Sequence, residues 1–165
     1  MEPMEKFVKP FVNVVSNVYS SFVGCQVRAR NPFFSDWEKA IDRDISAVIG
    51  LSGEVRGAVI ISMTKEVALK MADLLVTGVE HAEMDEDVVD AVGETVNIIA
   101  GNIKPRLPNG ERIQISLPTV IKGKDHSFAW PSNQARVLCI PFQVFTDKIF
   151  HLLVAIESKE IGAKH

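Results

Sequence analysis

Cysteine is scarce in this chain: Cys25 and Cys139 are the only two, far apart and neither in a CxxC pair. That argues against a disulfide framework and leaves two reduced, buried thiols as the plain expectation. The four histidines, His81, His126, His151 and His165, show no metal-ligand spacing, so the sequence gives no reason to expect a metal site built by this chain alone. There is no run of about 18 apolar residues, which removes a membrane-spanning helix. There is no basic stripe either. The net charge is -3 with both signs mixed along the chain, which counts against nucleic-acid binding. The first residues, Met1-Glu2-Pro3-Met4-Glu5, are acidic and do not form a signal-peptide pattern, so the cytoplasm is the expected location.

What is present is apolar material in periodic order. A 165-residue chain that is 47% hydrophobic can bury a real core, and its length fits a single domain over 1–165. Residues 4–22 carry Phe7, Phe11, Val14, Val15, Val18 and Phe22 at helical steps, closed by Gly24. Cys25 to Phe34 reads as a strand. Residues 45–51 and 54–63 read as a hairpin turning at Ser52-Gly53. Thr64 is placed to cap a helix that carries Val67, Ala68, Met71, Leu74 and Leu75 on one face and ends before Gly78. A longer helix is expected over 85–105, with Asp85, Glu86 and Asp87 at its positive end. Ile113 to Leu117 reads as a short strand stopped by Pro118. The stretch 122–134 is polar and turn-rich, and 135–145 with 148–157 form a second hairpin turning at Thr146-Asp147.

The two halves resemble each other. Asn13-Val14-Val15 lines up with Asn97-Ile98-Ile99, and each helix is followed by a strand and then a hairpin. The hairpins end alike, in Ser62-Met63-Thr64-Lys65-Glu66 and Ile156-Glu157-Ser158-Lys159-Glu160. The expectation is a degenerate internal duplication, roughly 4–78 and 85–160. The fold class is then α+β, with a mostly antiparallel sheet and packed helices.

The second long helix carries the most informative face. At about 100° per residue, Asp90, Glu94, Asn97 and Gly101 form one column, while Val88, Val92, Val96, Ile99 and Ile103 form the opposite, core-facing stripe. Glycine at 93 and 101 costs about 1 kcal/mol each against alanine in a helix interior, and asparagine is a mediocre helix former. Either the glycines lower the relief for an approaching molecule or they pack against a neighbouring element. A carboxamide and a carboxylate cannot form a nucleophilic triad, but they can hold a water and pair with a partner's lysine. Hydrolysis of a phosphoryl group needs such help from outside, since its catalysis is chiefly positioning and electrostatics.

Asp90-x-x-x-Glu94-x-x-Asn97 followed after twenty residues by Pro118 resembles the signature of the CheC, CheX and FliY phosphatases. The flanking Gly93 to Asn102 block and Ile115-Ser116-Leu117-Pro118 are similar to that family too, and the chain looks most like its CheX-type members. The resemblance implies a CheC-like fold and hydrolysis of the phospho-aspartate on a CheY-like response regulator in chemotaxis. It implies that Glu94 pairs with the regulator's lysine and Asn97 orients the attacking water. Asp90 and Gly101 would support the face, and Pro118 would shape the strand beside the helix. Mg²⁺ would be held by the response regulator, with no cofactor bound by this chain. A homodimer formed through sheet edges is also implied. Some members carry two active helices, but here Pro10 stands where the first helix would need its glutamate, so one working site is expected.

Other residues read more plainly. Trp37 and Trp130 fall in loops and are expected to be partly buried over a core edge. Arg28, Arg30 and Arg43 are expected at solvated positions, and Lys104 and Arg106 to complement a helix C-terminus. A different class of function, a non-enzymatic flagellar-switch or response-regulator binding module, would use the same surface without hydrolysis. A small-molecule sensor would need a pocket that the sequence does not reveal.

Overall fold

Strand pairing decides the architecture. The computed structural model describes residues 3–35, 43–76, 78–129 and 136–158. Its eight strands are β1 (Val27–Ala29), β2 (Phe33–Ser35), β3 (Ile45–Gly53), β4 (Val55–Met63), β5 (Ile113–Ile115), β6 (Thr119–Lys122), β7 (Arg136–Val144) and β8 (Lys148–Ser158). All pair antiparallel in one sheet of order β1-β7-β8-β4-β3-β5, with β2 also on β7 and β6 also on β3. Exchanging β1–β4 with β5–β8 reverses this order and leaves it unchanged. The two hairpins meet along β4 and β8, from Val55 opposite Ser158 to Ser62 opposite His151.

The helices are α1 (Pro3–Val18), α2 (Lys65–Leu75) and α3 (Glu86–Ile103). They share one continuous core with the sheet face bearing Ile45, Ile49, Val59, Ile61, Ile140, Phe142, Phe150 and Leu152. Intervening strand residues Ala58, Ile60, Val137, Cys139, Leu153 and Ala155 form a second cluster on the other face, with Phe33, Val48 and Phe128 packed against it. That alternation follows from the two-residue period of a strand. Under the helices, Tyr19, Phe150 and Phe142 stack with ring centroids 4.5 and 5.2 Å apart. Burial raises the Tyr19 pKa well above its ordinary value, so its hydroxyl stays protonated and lies 3.5 Å from Met71 Sδ.

Local chemistry sets the helix ends. Thr64 Oγ1 accepts from the Val67 N–H, and Asp85 Oδ1 accepts from the Val88 N–H, each satisfying a first-turn donor. α1 continues through Pro10 and widens into a π-turn over Tyr19–Val23. It stops at Gly24, whose φ of 92° suits glycine.

Several sequence expectations need correction. The strand read over Cys25 to Phe34 is two strands, β1 and β2, separated at Arg30–Pro32. β6 was not foreseen, because Thr119–Lys122 is a short segment directly after a proline. β3 runs through Gly53, whose φ is 100°. Arg43 is buried at 4% exposure, with its guanidinium carbon 5.3 Å from the Phe128 ring centroid; Arg28 and Arg30 are exposed. Cys139 is buried and Cys25 half-buried. Trp37 and Trp130 lie outside the described residues. No helix among the described residues is long and apolar enough to cross a membrane.

Candidate functional site

α3 packs against β3, β4 and β6, and its stripe of Val88, Val92, Val96, Ile99 and Ile103 is buried. That anchoring turns the other side outward. Asp90, Glu94 and Gly101 are exposed and Asn97 is half-buried. Among the described residues, no hydrogen bond or ion pair engages the side chains of Asp90, Glu94 or Asn97. Neighbours on the same helix behave differently. Thr95 Oγ1 donates to Ala91 O at 2.7 Å, and the Asn102 amide donates to Ile98 O at 2.8 Å. The Asn97 amide keeps both donor and acceptor available, as a residue meant for another molecule would.

Beside this column lies an open groove of about 570 Å³, lined by Val89, Asp90, Gly93, Glu94, Pro118 and Val120. Its second wall comes from an interruption between β5 and β6. Both strands pair with β3, but Ser116–Pro118 leaves the ladder opposite Ile49 and Gly50. Ser116 fixes that departure. Its N–H donates to Gly50 O at 2.9 Å, and its Oγ accepts from the Gly50 N–H at 2.8 Å and donates to Leu117 O at 2.9 Å. The result lays Pro118 against α3 and leaves Leu117 86% exposed at the rim.

Gly93 explains how wall and helix come so close. A Cβ at this position would stand 3.3 Å from Val120 Cγ2 and 4.0 Å from Pro118 Cβ. Of the two sequence alternatives, packing against a neighbouring element describes Gly93. Nothing lies within 4 Å of a Cβ at Gly101, so that glycine is open to an approaching molecule. The groove therefore gathers Asp90, Glu94 and Pro118, with Asn97 on the adjoining turn and Gly101 one turn further on, outside it. Sequence reasoning did not single out Val89, Val120 or Leu117. Pro118 and the interrupted strand were the available signal, but β6 was needed to bring them to α3.

The palindromic antiparallel sheet with its helices on one face is the fold of a CheC-like superfamily protein from Shewanella sp. PV-4, which superposes with a TM-score of 0.80 at 24% identity. A family model described as "Chemotaxis phosphatase CheX" matches residues 45–143. The CheY-P phosphatase CheX of Thermotoga maritima is 31% identical over 119 residues, covering 72% of this chain and 75% of that protein. A crystal structure of chemotaxis protein CheX from Desulfovibrio desulfuricans superposes with a TM-score of 0.80 at 28% identity, covering 92% of this chain and 99% of the other. A CheX–CheY–BeF3–Mg²⁺ complex from Borrelia burgdorferi matches with a TM-score of 0.74 at 26% identity, covering 92% of this chain and 98% of that one. The chain belongs to the CheX family of chemotaxis phosphatases.

Proposed function

We propose that this protein hydrolyses the phospho-aspartate of a CheY-like response regulator. The observation that carries the reading is Glu94 and Asn97, without side-chain partners among the described residues, on the outward face of a helix whose other side is fixed in the core. Family membership supports it, as do a relative named as a CheY-P phosphatase and a similar chain solved in complex with CheY.

In this reading α3 enters the regulator's phosphorylation site. The Asn97 carboxamide oxygen accepts a hydrogen from one water and points the water's lone pair at phosphorus, opposite the aspartyl oxygen. The water–phosphorus bond forms as the phosphorus–aspartyl oxygen bond breaks, giving inorganic phosphate and a free carboxylate. The Glu94 carboxylate pairs with the regulator's lysine and fixes the register of insertion. Asp90 supports that docking from the turn before, Gly101 lets the partner approach the following turn, and Pro118 holds the groove wall. Mg²⁺ belongs to the regulator and contributes charge neutralisation there. Leu117 adds an apolar contact at the rim. The reading includes cytoplasmic action and a homodimer, for which the outer sheet edges at β1/β2 and β5/β6 offer backbone that pairs with no further strand among the described residues; sedimentation at micromolar concentration tests the dimer.

The test is phosphate release from a panel of phosphorylated receiver domains, with and without this protein. Acceleration on a cognate receiver, lost in Asn97→Ala and Glu94→Ala, is the expected result. Tight capture of a receiver with no change in its phosphate lifetime would instead make the protein a binding module.

A further inference from the structure

The segment joining α2 to α3 turns a discounted histidine into the centre of a polar cluster. The His81 side chain is 1% exposed. Asp73 Oδ1, on α2, accepts from the His81 backbone N–H at 2.7 Å and lies 2.9 Å from its Nδ1. An ionised carboxylate only accepts, so Nδ1 carries a proton, and in the neutral ring Nε2 holds the lone pair. That Nε2 is buried, makes no hydrogen bond among the described residues, and stands 3.5 Å from Asp87 Oδ2 in the first turn of α3. Ligand atoms of His81, Asp85 and Asp87 all lie within 4.8 Å of one another. Asp85 uses Oδ1 to cap the Val88 N–H at 3.2 Å, and its other oxygen makes no hydrogen bond among the described residues.

We propose that His81 Nε2, Asp85 and Asp87 bind a divalent transition-metal ion of the zinc type, with Asp73 holding the imidazole from behind. The His81–Asp87 separation suits two ligands of one ion better than a direct imidazolium hydrogen bond. A charge-assisted N–H to carboxylate bond runs about 2.7–2.9 Å, so 3.5 Å is loose for one. Two ligands of a tetrahedral zinc, each about 2.0–2.2 Å from the metal, stand about 3.4 Å apart. One imidazole nitrogen with two carboxylates suits zinc better than magnesium, which takes oxygen ligands and keeps its waters. A carboxylate on the distal ring nitrogen is the usual support for a metal-binding histidine.

Two effects oppose binding, and both are answered locally. The positive end of α3 disfavours a cation, by roughly half a charge, against the carboxylates of Asp73, Asp85, Glu86 and Asp87. In the metal-free protein the hydrogen bond to Asp73 raises the His81 pKa, with Asp87 adding to the effect. A metal displaces that proton, and the same Asp73 contact makes Nε2 the stronger donor. The sequence spacing His81-x-x-x-Asp85-x-Asp87 resembles no familiar metal motif because it straddles a loop and a helix start. Occupancy would fasten the start of α3 to α2.

The test is calorimetric titration of chelator-treated full-length protein with zinc chloride, alongside thermal unfolding. One saturable site per chain with a raised Tm is expected. Asp85→Asn and Asp87→Asn should each weaken zinc binding at least about tenfold. The zinc-free unfolding of Asp85→Asn should match the wild type, because asparagine caps a helix as well as aspartate does. No saturable site in the wild-type chain, or binding of equal strength in both variants, would overturn the proposal.

Discussion

α1 and α3 hold matching places in the sheet's two halves, yet their outward columns carry different residues. Each packs its apolar stripe on the same sheet face and turns an asparagine outward, Asn13 in α1 and Asn97 in α3. Counting from that shared residue, Pro10 stands for Glu94, Lys9 for Gly93 and Lys6 for Asp90. α1 thus lacks the carboxylate that would pair with a lysine, and its sequence supplies positive charge where α3 supplies negative charge. It also lacks the glycine that lets the neighbouring strand close on the helix. Both halves keep a proline before the short outer strand, Pro32 before β2 and Pro118 before β6. The difference teaches that the scaffold tolerates a changed outward column on one helix, because the buried stripe holds each helix in place.

The largest effect that would sharpen this comparison is on Asn97. Asn97→Ala should lower stimulated phosphate release about a hundredfold or more, the scale of losing a positioned hydrogen-bonding group at a reacting centre. Its far-UV circular dichroism and unfolding midpoint should not change. Glu94→Ala follows. Removing one member of a hydrogen-bonded charge pair costs about 2–5 kcal/mol, so weaker capture of the phosphorylated receiver in a binding titration should accompany a rate loss of about thirtyfold or more. Leu117→Ala should weaken capture about fivefold, the effect of one rim contact worth about 1 kcal/mol, with little change at saturating receiver.

The two glycines of α3 should separate in stability. Gly93→Leu drives a side chain into Val120 and Pro118, an overpacking cost of about 1–3 kcal/mol. Gly101→Ala meets nothing and should gain up to about 1 kcal/mol of helix propensity. Urea unfolding midpoints check both, and equal shifts of the same sign would break the account of the groove wall. The smallest expected effect is on the first helix. Pro10→Glu should leave the turnover rate unchanged, because the charges at Lys6 and Lys9 still oppose docking; a doubled rate would show that the missing glutamate alone silenced α1.

The sequence made much of this legible. The outward column of α3, the buried stripe behind it, the capping residues and both hairpins follow from local periodicity and chemistry, which short-range patterns report well. The groove did not. Its far wall depends on β5 and β6 pairing with β3, sixty or more residues earlier, and a four-residue strand after a proline has too little period to announce itself. Gly93 looked like Gly101 in sequence because a missing side chain has no pattern of its own; only the position of Val120 separates them. Arg43 looked solvated for a similar reason, since the Phe128 that covers it lies far along the chain.

The central claim is that the outward asparagine of α3 acts on the phosphoryl group and that of α1 does not. The direct measurement is the lifetime of a phosphorylated cognate receiver mixed with Asn97→Ala and, in parallel, with Asn13→Ala. The account predicts a return to the receiver's own slow decay for the first and wild-type acceleration for the second. Full acceleration by Asn97→Ala, or its loss in Asn13→Ala alone, would contradict it.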